Sequence, residues 1–327
     1  MRAFITGHNG FIGKNLPAAL ERQGIQSVFT DERHIDLNFT NNNELDVYTN
    51  SEDVWEQVLT ELKVDILIHN AAVVGTDVVG LDPERATSSN VTGTYSLTRV
   101  ANKLNIPIIY LGTSVIYDTF KYQEETIVED SLRGPHTYYG HLKLLGENLV
   151  KSYAKDWSIV RPLFAFGGVG DMNSLIAKTF YGYFAKKDNI DMFLDPQKIK
   201  DYLHVSDFCD AVAIVCANQK HRGEDYNVAA ETPIVTREIV DMMSVIAGED
   251  LNKLITWHPE TDYLGHHRLS ARKFKAMTGW EPKFTLDQGL RDAWNSICHA
   301  VQGNVGYNPL QYLEEAKEKN VNLLEFY

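Results

Sequence analysis

Short apolar runs that alternate with longer amphipathic stretches fill the first half of the chain, and this rhythm restricts its fold more than any other feature. Ala3 to Thr6 is apolar and enters a glycine-rich turn, after which Phe11 to Leu20 carries apolar residues at helical spacing. Ser27 to Thr30, Asp65 to His69 and Ile106 to Leu111 repeat the short run, separated by helix-compatible stretches at Ser51 to Leu62 and Pro83 to Leu104. Strands alternating with helices predict a parallel sheet covered on both faces, an α/β fold. After Arg161-Pro162 the rhythm loosens. GGVGD occupies Gly167 to Asp171, a helix is predicted over Ser174 to Lys186, and strand-like DYLHV spans Asp201 to Val205. From Ala229 helices dominate, at Thr236 to Ile246, Ala271 to Met277 and Leu286 to His299, so a smaller, mostly helical C-terminal lobe is expected from two chain segments. Val301 to Tyr327 reads as an appended tail with a short helix at Pro309 to Lys319.

The length of 327 residues suits about two domains at ~150 residues each, or one large unit with a lobe. With 44% of residues apolar and 23% charged, a sizeable core is available. The 31 basic and 44 acidic side chains give a net charge of −13, which offers no uniform field for nucleic acid or an anionic membrane. The start MRAFITGHNGFIG lacks a basic segment followed by a long apolar one, and no run approaches ~18 apolar residues, so the chain is read as cytoplasmic. Three cysteines without a Cys-x-x-Cys pair argue against a disulfide framework and a zinc site. Cys209 and Cys216 lie two helical turns apart on one face, which reads as core packing. The pair His266-His267 lacks a third metal ligand and is read as solvated polar residues, so no metal is expected.

In TGHNGFIG, Gly7, Gly10 and Gly13 stand three apart between a strand and a helix. Glycine there permits a tight turn and close backbone approach to a pyrophosphate, while the helix N-terminus attracts its charge. Asp31 is the first acid after the next strand, where a carboxylate accepts hydrogen bonds from adenosine ribose hydroxyls and repels a 2′-phosphate. That favours NAD, although Arg33 two residues on suits the phosphate of NADP. Asp46, in the run ELDV, is a candidate for the adenine amine.

Tyr139 and Lys143 are spaced i, i+4, one turn apart on one face of a helix. An ammonium near the phenol lowers its pKa, so the phenolate acts as general base toward a sugar hydroxyl. Tyr138 has the wrong spacing. The run IPIIYLG ends in Thr113-Ser114, at the carboxyl end of a predicted parallel strand, where ligand crevices of such sheets form.

Taken in order, TGHNGFIG, HNAA at His69 to Ala72, NVTGT at Asn90 to Thr94, TSVIYD at Thr113 to Asp118, YGHLK at Tyr139 to Lys143, VRPL at Val160 to Leu163, DYLHVSD at Asp201 to Asp207 and GWEP at Gly279 to Pro282 resemble the extended short-chain dehydrogenases/reductases. The resemblance, to the sugar-nucleotide epimerase/dehydratase group, covers Met1 to about Ala300 and leaves the tail unexplained. It implies a Rossmann-type doubly wound sheet on residues 1–162 and 200–228, a substrate lobe on 163–199 and 229–300, and a tail on 301–327. It also implies NAD held by Gly7, Asn9, Gly10, Phe11, Ile12, Gly13, Asp31, Asp46, Val47, Ala71, Ala72, Asn90, Tyr139, Lys143 and Pro162, with Thr113, Tyr139 and Lys143 catalytic.

Departures from the family pattern bear on the substrate. The sugar 4,6-dehydratases carry Asp and Glu after the threonine, where this chain has Ser114 and Val115, and valine cannot exchange protons. Ser114 is kept as a substrate contact. An asparagine that contacts the diphosphate in many relatives is replaced by Phe164, the arginine usual before DYIHV by Lys200, and a further arginine expected near Glu260 is absent, with Arg268 a substitute. The resemblance therefore implies an NAD-dependent sugar-nucleotide epimerase, with an NADP-dependent 4-keto-sugar reductase as rival and a non-catalytic dinucleotide-binding regulator as the reading of another class. It also implies a homodimer that pairs the helices at Pro83 to Leu104 and Tyr138 to Lys155 across subunits.

Overall fold

A computed structural model gives the structure of the protein and describes residues 1–29, 51–74, 79–80, 82–168, 170–172 and 174–301. Six parallel strands form the central sheet: β1 (Arg2–Thr6), β2 (Gln26–Val28), β3 (Ile66–His69), β4 (Ile108–Leu111), β5 (Trp157–Pro162) and β6 (Asp225–Val228). Their spatial order is β6-β5-β4-β3-β1-β2, so the chain leaves β1 in one direction and resumes at β3 in the other. In parallel sheets of this kind a ligand crevice opens beyond the carboxyl ends of the strands where the order reverses, here between β1 and β3.

Alternation along each strand builds two cores. Ile5, Ile68, Ile109 and Leu111 face one layer, where they pack with Leu16 and Leu20 of α1 (Phe11–Arg22). Phe208, Val212 and Cys216 of a second helix, Val205–Ala217, complete that layer, which also buries Cys209 as the sequence spacing leads one to expect. Phe4, Leu67, Ile108 and Tyr110 face the other layer, against Trp55 and Val58 of α2 (Glu52–Glu61) and Leu97 and Val100 of α3 (Thr94–Leu104). Side chains of period two fix this division, because neighbouring residues on a strand point to opposite faces.

The predicted helix from Pro83 to Leu104 forms, with one irregularity that its apolar spacing does not reveal. A short α-helix, Pro83–Thr87, widens into a π turn, Ser88–Gly93, before α3 resumes. Turns of this type recur at functional positions, and here it carries Asn90. The helix α4 (Tyr138–Tyr153) starts at Thr137, whose hydroxyl accepts from the Gly140 amide at 3.1 Å.

A third core lies in the C-terminal part of the chain, where α5 (Leu175–Phe184), α6 (Thr236–Ala247) and α7 (Leu286–Val301) enclose Ile176, Phe180, Val240, Met243 and Leu290. The expected strand over Asp201 to Val205 is cut to Leu203–His204. Asp201 turns its carboxylate to the Glu231 amide at 2.8 Å, and His204 already caps the helix that begins at Val205, so local side-chain bonds displace the strand. No helix among the described residues is long and apolar enough to cross a membrane. Asp31, Asp46, Val47 and the tail beyond Val301 lie outside the described residues.

Candidate active site

The turn after β1 is built around three close approaches. Gly7 adopts φ +66°, and a Cβ there would stand 2.8 Å from the Ala71 Cα. A Cβ on Gly13 would collide with the Gly7 carbonyl and sit 2.6 Å from the His8 Cα. The Gly10 amide donates to the Gly7 carbonyl at 3.1 Å, and Gly10, the N-cap of α1, has no side chain to cap the first-turn amides of Phe11, Ile12 and Gly13. A bare backbone cradle at a helix N-terminus suits a pyrophosphate, and these residues fit a dinucleotide. Asn9 is exposed in the turn, and the His8 ring stacks on Phe29 at 4.8 Å.

The end of β3 closes the other wall. The Thr6 hydroxyl accepts from the amides of Asn70 and Ala71 at 3.1 and 3.0 Å, and the Asn70 side chain donates to the Gly7 carbonyl at 2.9 Å. His69 bridges the hydroxyls of Thr6 and Thr94, each at 2.9 Å. Burial, reinforced by the Lys143 charge, pushes its imidazole down to about 3, so it is neutral. The Asn90 side chain accepts from the Val73 amide at 2.8 Å and donates to the Val73 carbonyl at 2.9 Å. Ala71 and Ala72 thus stand on a stretch held from both sides, and the Asn90 amide holds that stretch. Thr6, His69, Asn70 and Thr94 lie in the segments TGHNGFIG, HNAA and NVTGT, but nothing in their spacing gives these four a role, since a histidine in ILIHNAA looks like any polar residue at a strand end.

Thr113 follows β4, where its hydroxyl caps the short 3₁₀ turn Ser114–Ile116 and lies close to the phenol of Tyr139. Lys143 is nearly fully buried one turn further along α4. The structure therefore brings the three expected catalytic residues together, but it corrects the electrostatics. The Lys143 ammonium donates to the Leu111 carbonyl at 2.7 Å and lies 4.1 Å from the centre of the Tyr110 ring, rather than pairing with the phenol. Burial pushes the Tyr139 phenol above its ordinary value, with the nearby Thr113 hydroxyl acting against it, and burial pulls Lys143 down to about 7 despite the neighbouring Glu147. Desolvation outweighs the helical proximity on which the expected lowering of the phenol rests. Tyr138, off this face, is exposed and pairs with the Thr87 hydroxyl at 2.6 Å.

The expected substrate residues divide. Ser114 is buried beside Thr113. Lys200 is buried with its ammonium 3.1 Å from Asp262, also buried, so its charge is already matched. Phe164 packs against Tyr202 and against His267, 5.7 and 5.4 Å between ring centres. Arg268 donates to the Gln123 carbonyl at 2.7 Å and lines a cavity of about 420 Å³ with Thr126, Asp201, Glu231 and Arg272. Pro162 ends β5 opposite Val228. The reading of the two histidines as solvated is overturned: His267 is fully buried, and His266 accepts from the Ile199 amide at 2.9 Å. The reason is that the segment pairs with the strand at Ile199–Lys200, through a backbone bridge from His267 to Lys200 and a bond from the His267 amide to the Ile199 carbonyl at 2.8 Å.

A family model described as NAD dependent epimerase/dehydratase family matches residues 3–229. The chain belongs to this family. NAD is accordingly its cofactor class, and the glycine cradle fits that assignment. Among curated relatives, the chain is 31% identical over 202 residues to a probable low-salt glycan biosynthesis reductase from Haloferax volcanii, a match that covers 60% of this chain and 64% of that protein. Among solved structures, it is similar to MoeE5 in complex with UDP-glucose and NAD, with a TM-score of 0.80 at 18% identity over 92% of this chain and all of that one (100%). It is also similar to the UDP-glucose 4-epimerase of Thermotoga maritima, with a TM-score of 0.78 at 20% identity over 92% and 100% of the two chains. At such identities the likeness is one of fold.

Proposed function

We propose that this member of the family is an NAD-dependent sugar-nucleotide epimerase, acting at C4 by oxidation to a keto-sugar and reduction from the opposite face. The observation that carries the reading is the juxtaposition of the Thr113 hydroxyl and the Tyr139 phenol at the carboxyl end of β4. Two hydroxyls that meet there can both engage one substrate oxygen. As the phenolate, Tyr139 takes the proton of that oxygen while the carbonyl forms and, now a phenol, hands it back as the carbonyl is reduced; burial, which holds the phenol above its ordinary pKa, opposes the first step and favours the return. NAD, when bound, supplies the acceptor for the carbon hydride. Thr113 orients the oxygen throughout. Val115, unable to exchange a proton, supports epimerisation over water elimination. On this reading residues 1–162 and 200–228 hold the dinucleotide, and residues 163–199 and 229–300 hold the sugar nucleotide, with Ser114 and Phe164 near the sugar.

A second reading, a 4-keto-sugar reductase that uses NADP, is favoured by the name of the 31% identical relative and by Arg33 close after Asp31. The two part on cofactor balance. The protein, loaded with NAD and freed of excess cofactor, is mixed with UDP-, dTDP- and GDP-hexoses, and product is followed beside absorbance at 340 nm. Interconversion of hexoses without net reduced cofactor supports the epimerase, whereas product that forms only with stoichiometric loss of added NADPH replaces it with the reductase.

A further inference from the structure

Beneath the site lies a buried row of charges that the proposed chemistry does not use. Glu147 is one turn beyond Lys143 on α4, and both are almost without exposure. Its two carboxylate oxygens are held by Arg161 of β5, at 2.9 and 3.1 Å from Nε and 2.8 Å from Nη2. Arg161 is fully buried, and its other contacts are the Tyr117 hydroxyl at 3.1 Å and the carboxylate of Asp225 on β6. Asp225 leads to the surface, where Lys151 at 2.9 Å and Arg133 at 3.4 Å meet it. The backbone makes room for this row. A Cβ on Gly112, just past β4, would strike the Glu147 carboxylate and stand 2.9 Å from the Arg161 stem, and one on Gly146 would stand 2.5 Å from the Tyr110 hydroxyl. A carboxylate taken this far from water costs several kcal/mol unless it is paired, and it is paired by a guanidinium that Asp225 also neutralises.

We propose that Glu147, fixed by Arg161, is a positioning residue for Lys143: one helical turn away and buried with it against the Leu111–Gly112 backbone, it supplies the negative charge that holds the ammonium where the cofactor binds. The proposal rests on the reading of Lys143 as a cofactor contact. Among the described residues, few groups face Lys143. Tyr139 and Glu147 lie on its own helix, neutral His69 on β3, and Tyr110 and the Leu111 carbonyl on β4, with Arg161 and Asp225 behind Glu147. Glu147 raises the lysine against burial, and the backbone places the two together: Lys143 donates to the Leu111 carbonyl, and a Cβ on the next residue, Gly112, would strike the Glu147 carboxylate.

The test is the pH dependence of NADH affinity, read by cofactor fluorescence with no substrate present, so it is independent of the reaction catalysed. In the native protein, affinity falls as pH rises through about 7, where Lys143 loses its proton. In Glu147→Gln, which keeps the shape of the side chain, the midpoint moves down by about one pH unit or more. Asp225→Asn, which removes a carboxylate from the far side of Arg161, leaves the midpoint in place. Should Glu147→Gln fail to fold because Arg161 is left with too little negative charge, the double variant Glu147→Gln/Arg161→Gln replaces the buried pair by neutral amides, and it too shows the lower midpoint. A midpoint unchanged in the folded variant overturns the proposal alone. A native profile with no step overturns the cofactor role of Lys143 and the proposal with it.

Discussion

At the residue scale, the site assigns each polar group a separate task. Tyr139→Phe removes the proton acceptor while it preserves ring and burial, so folding and NAD affinity persist and turnover falls by ~10²–10⁴-fold or more, measured as kcat beside a thermal melt. Thr113→Val slows the reaction through loss of one hydrogen bond to the substrate oxygen, and Tyr138→Phe leaves it nearly unchanged because its partner is Thr87 on the outer surface. Lys143 also makes a prediction about stability. Its pKa is lowered on folding from 10.5 to about 7, so between those values the unfolded chain binds the extra proton. The contribution of Lys143 to stability therefore rises with pH over that interval. Relative to the native protein, Lys143→Met is most stable at pH 7 and below, and the advantage disappears by about pH 10.5, as denaturant titration at several pH values would show. An equal difference at every pH would mean that the ammonium is not desolvated in the folded protein.

At the scale of elements, the turn after β1 and the π turn are the two parts whose geometry the site depends on. Gly13→Ala drives a methyl group into the Gly7 carbonyl, so the cradle opens and NAD affinity drops at least about tenfold with the sheet intact, read by calorimetry. Asn90→Ala leaves both Val73 backbone groups without their partner and costs about 1–3 kcal/mol, seen as faster amide exchange from Ala71 to Val74. The first of these elements was legible in the sequence, since three glycines between an apolar run and an amphipathic one have one geometric use. The second was not. Pro83 to Leu104 reads as one continuous helix by its apolar positions, and the extra residue of a π turn leaves no mark in that periodicity. The ends of β1, β3 and β4 could likewise be placed from apolar runs, whereas the bonds that join Thr6, His69 and Thr94 link residues far apart in sequence. The electrostatics of Lys143 and Tyr139 escaped the same way: spacing gives proximity on a helix, but desolvation is set by the strands packed beneath it.

At the scale of the whole molecule, α4 presents Tyr138, Leu145 and Tyr153 to the outside at 43%, 46% and 52% exposure. These positions are seven and eight residues apart and share one face of the helix. We propose that this face pairs with its copy in a homodimer, so that Leu145→Glu converts a dimer into a monomer in sedimentation at micromolar concentration, while a native monomer would end that proposal. The central claim, that Tyr139 and Thr113 serve a hydride that leaves the sugar and returns to it, is tested most directly by an isotope. A sugar nucleotide deuterated at C4 is incubated with the protein and only its bound NAD, and the inverted product is analysed by mass spectrometry. The account predicts that the product keeps its deuterium at C4; loss of the label to solvent would mean that the carbon is inverted through enolisation and would contradict it.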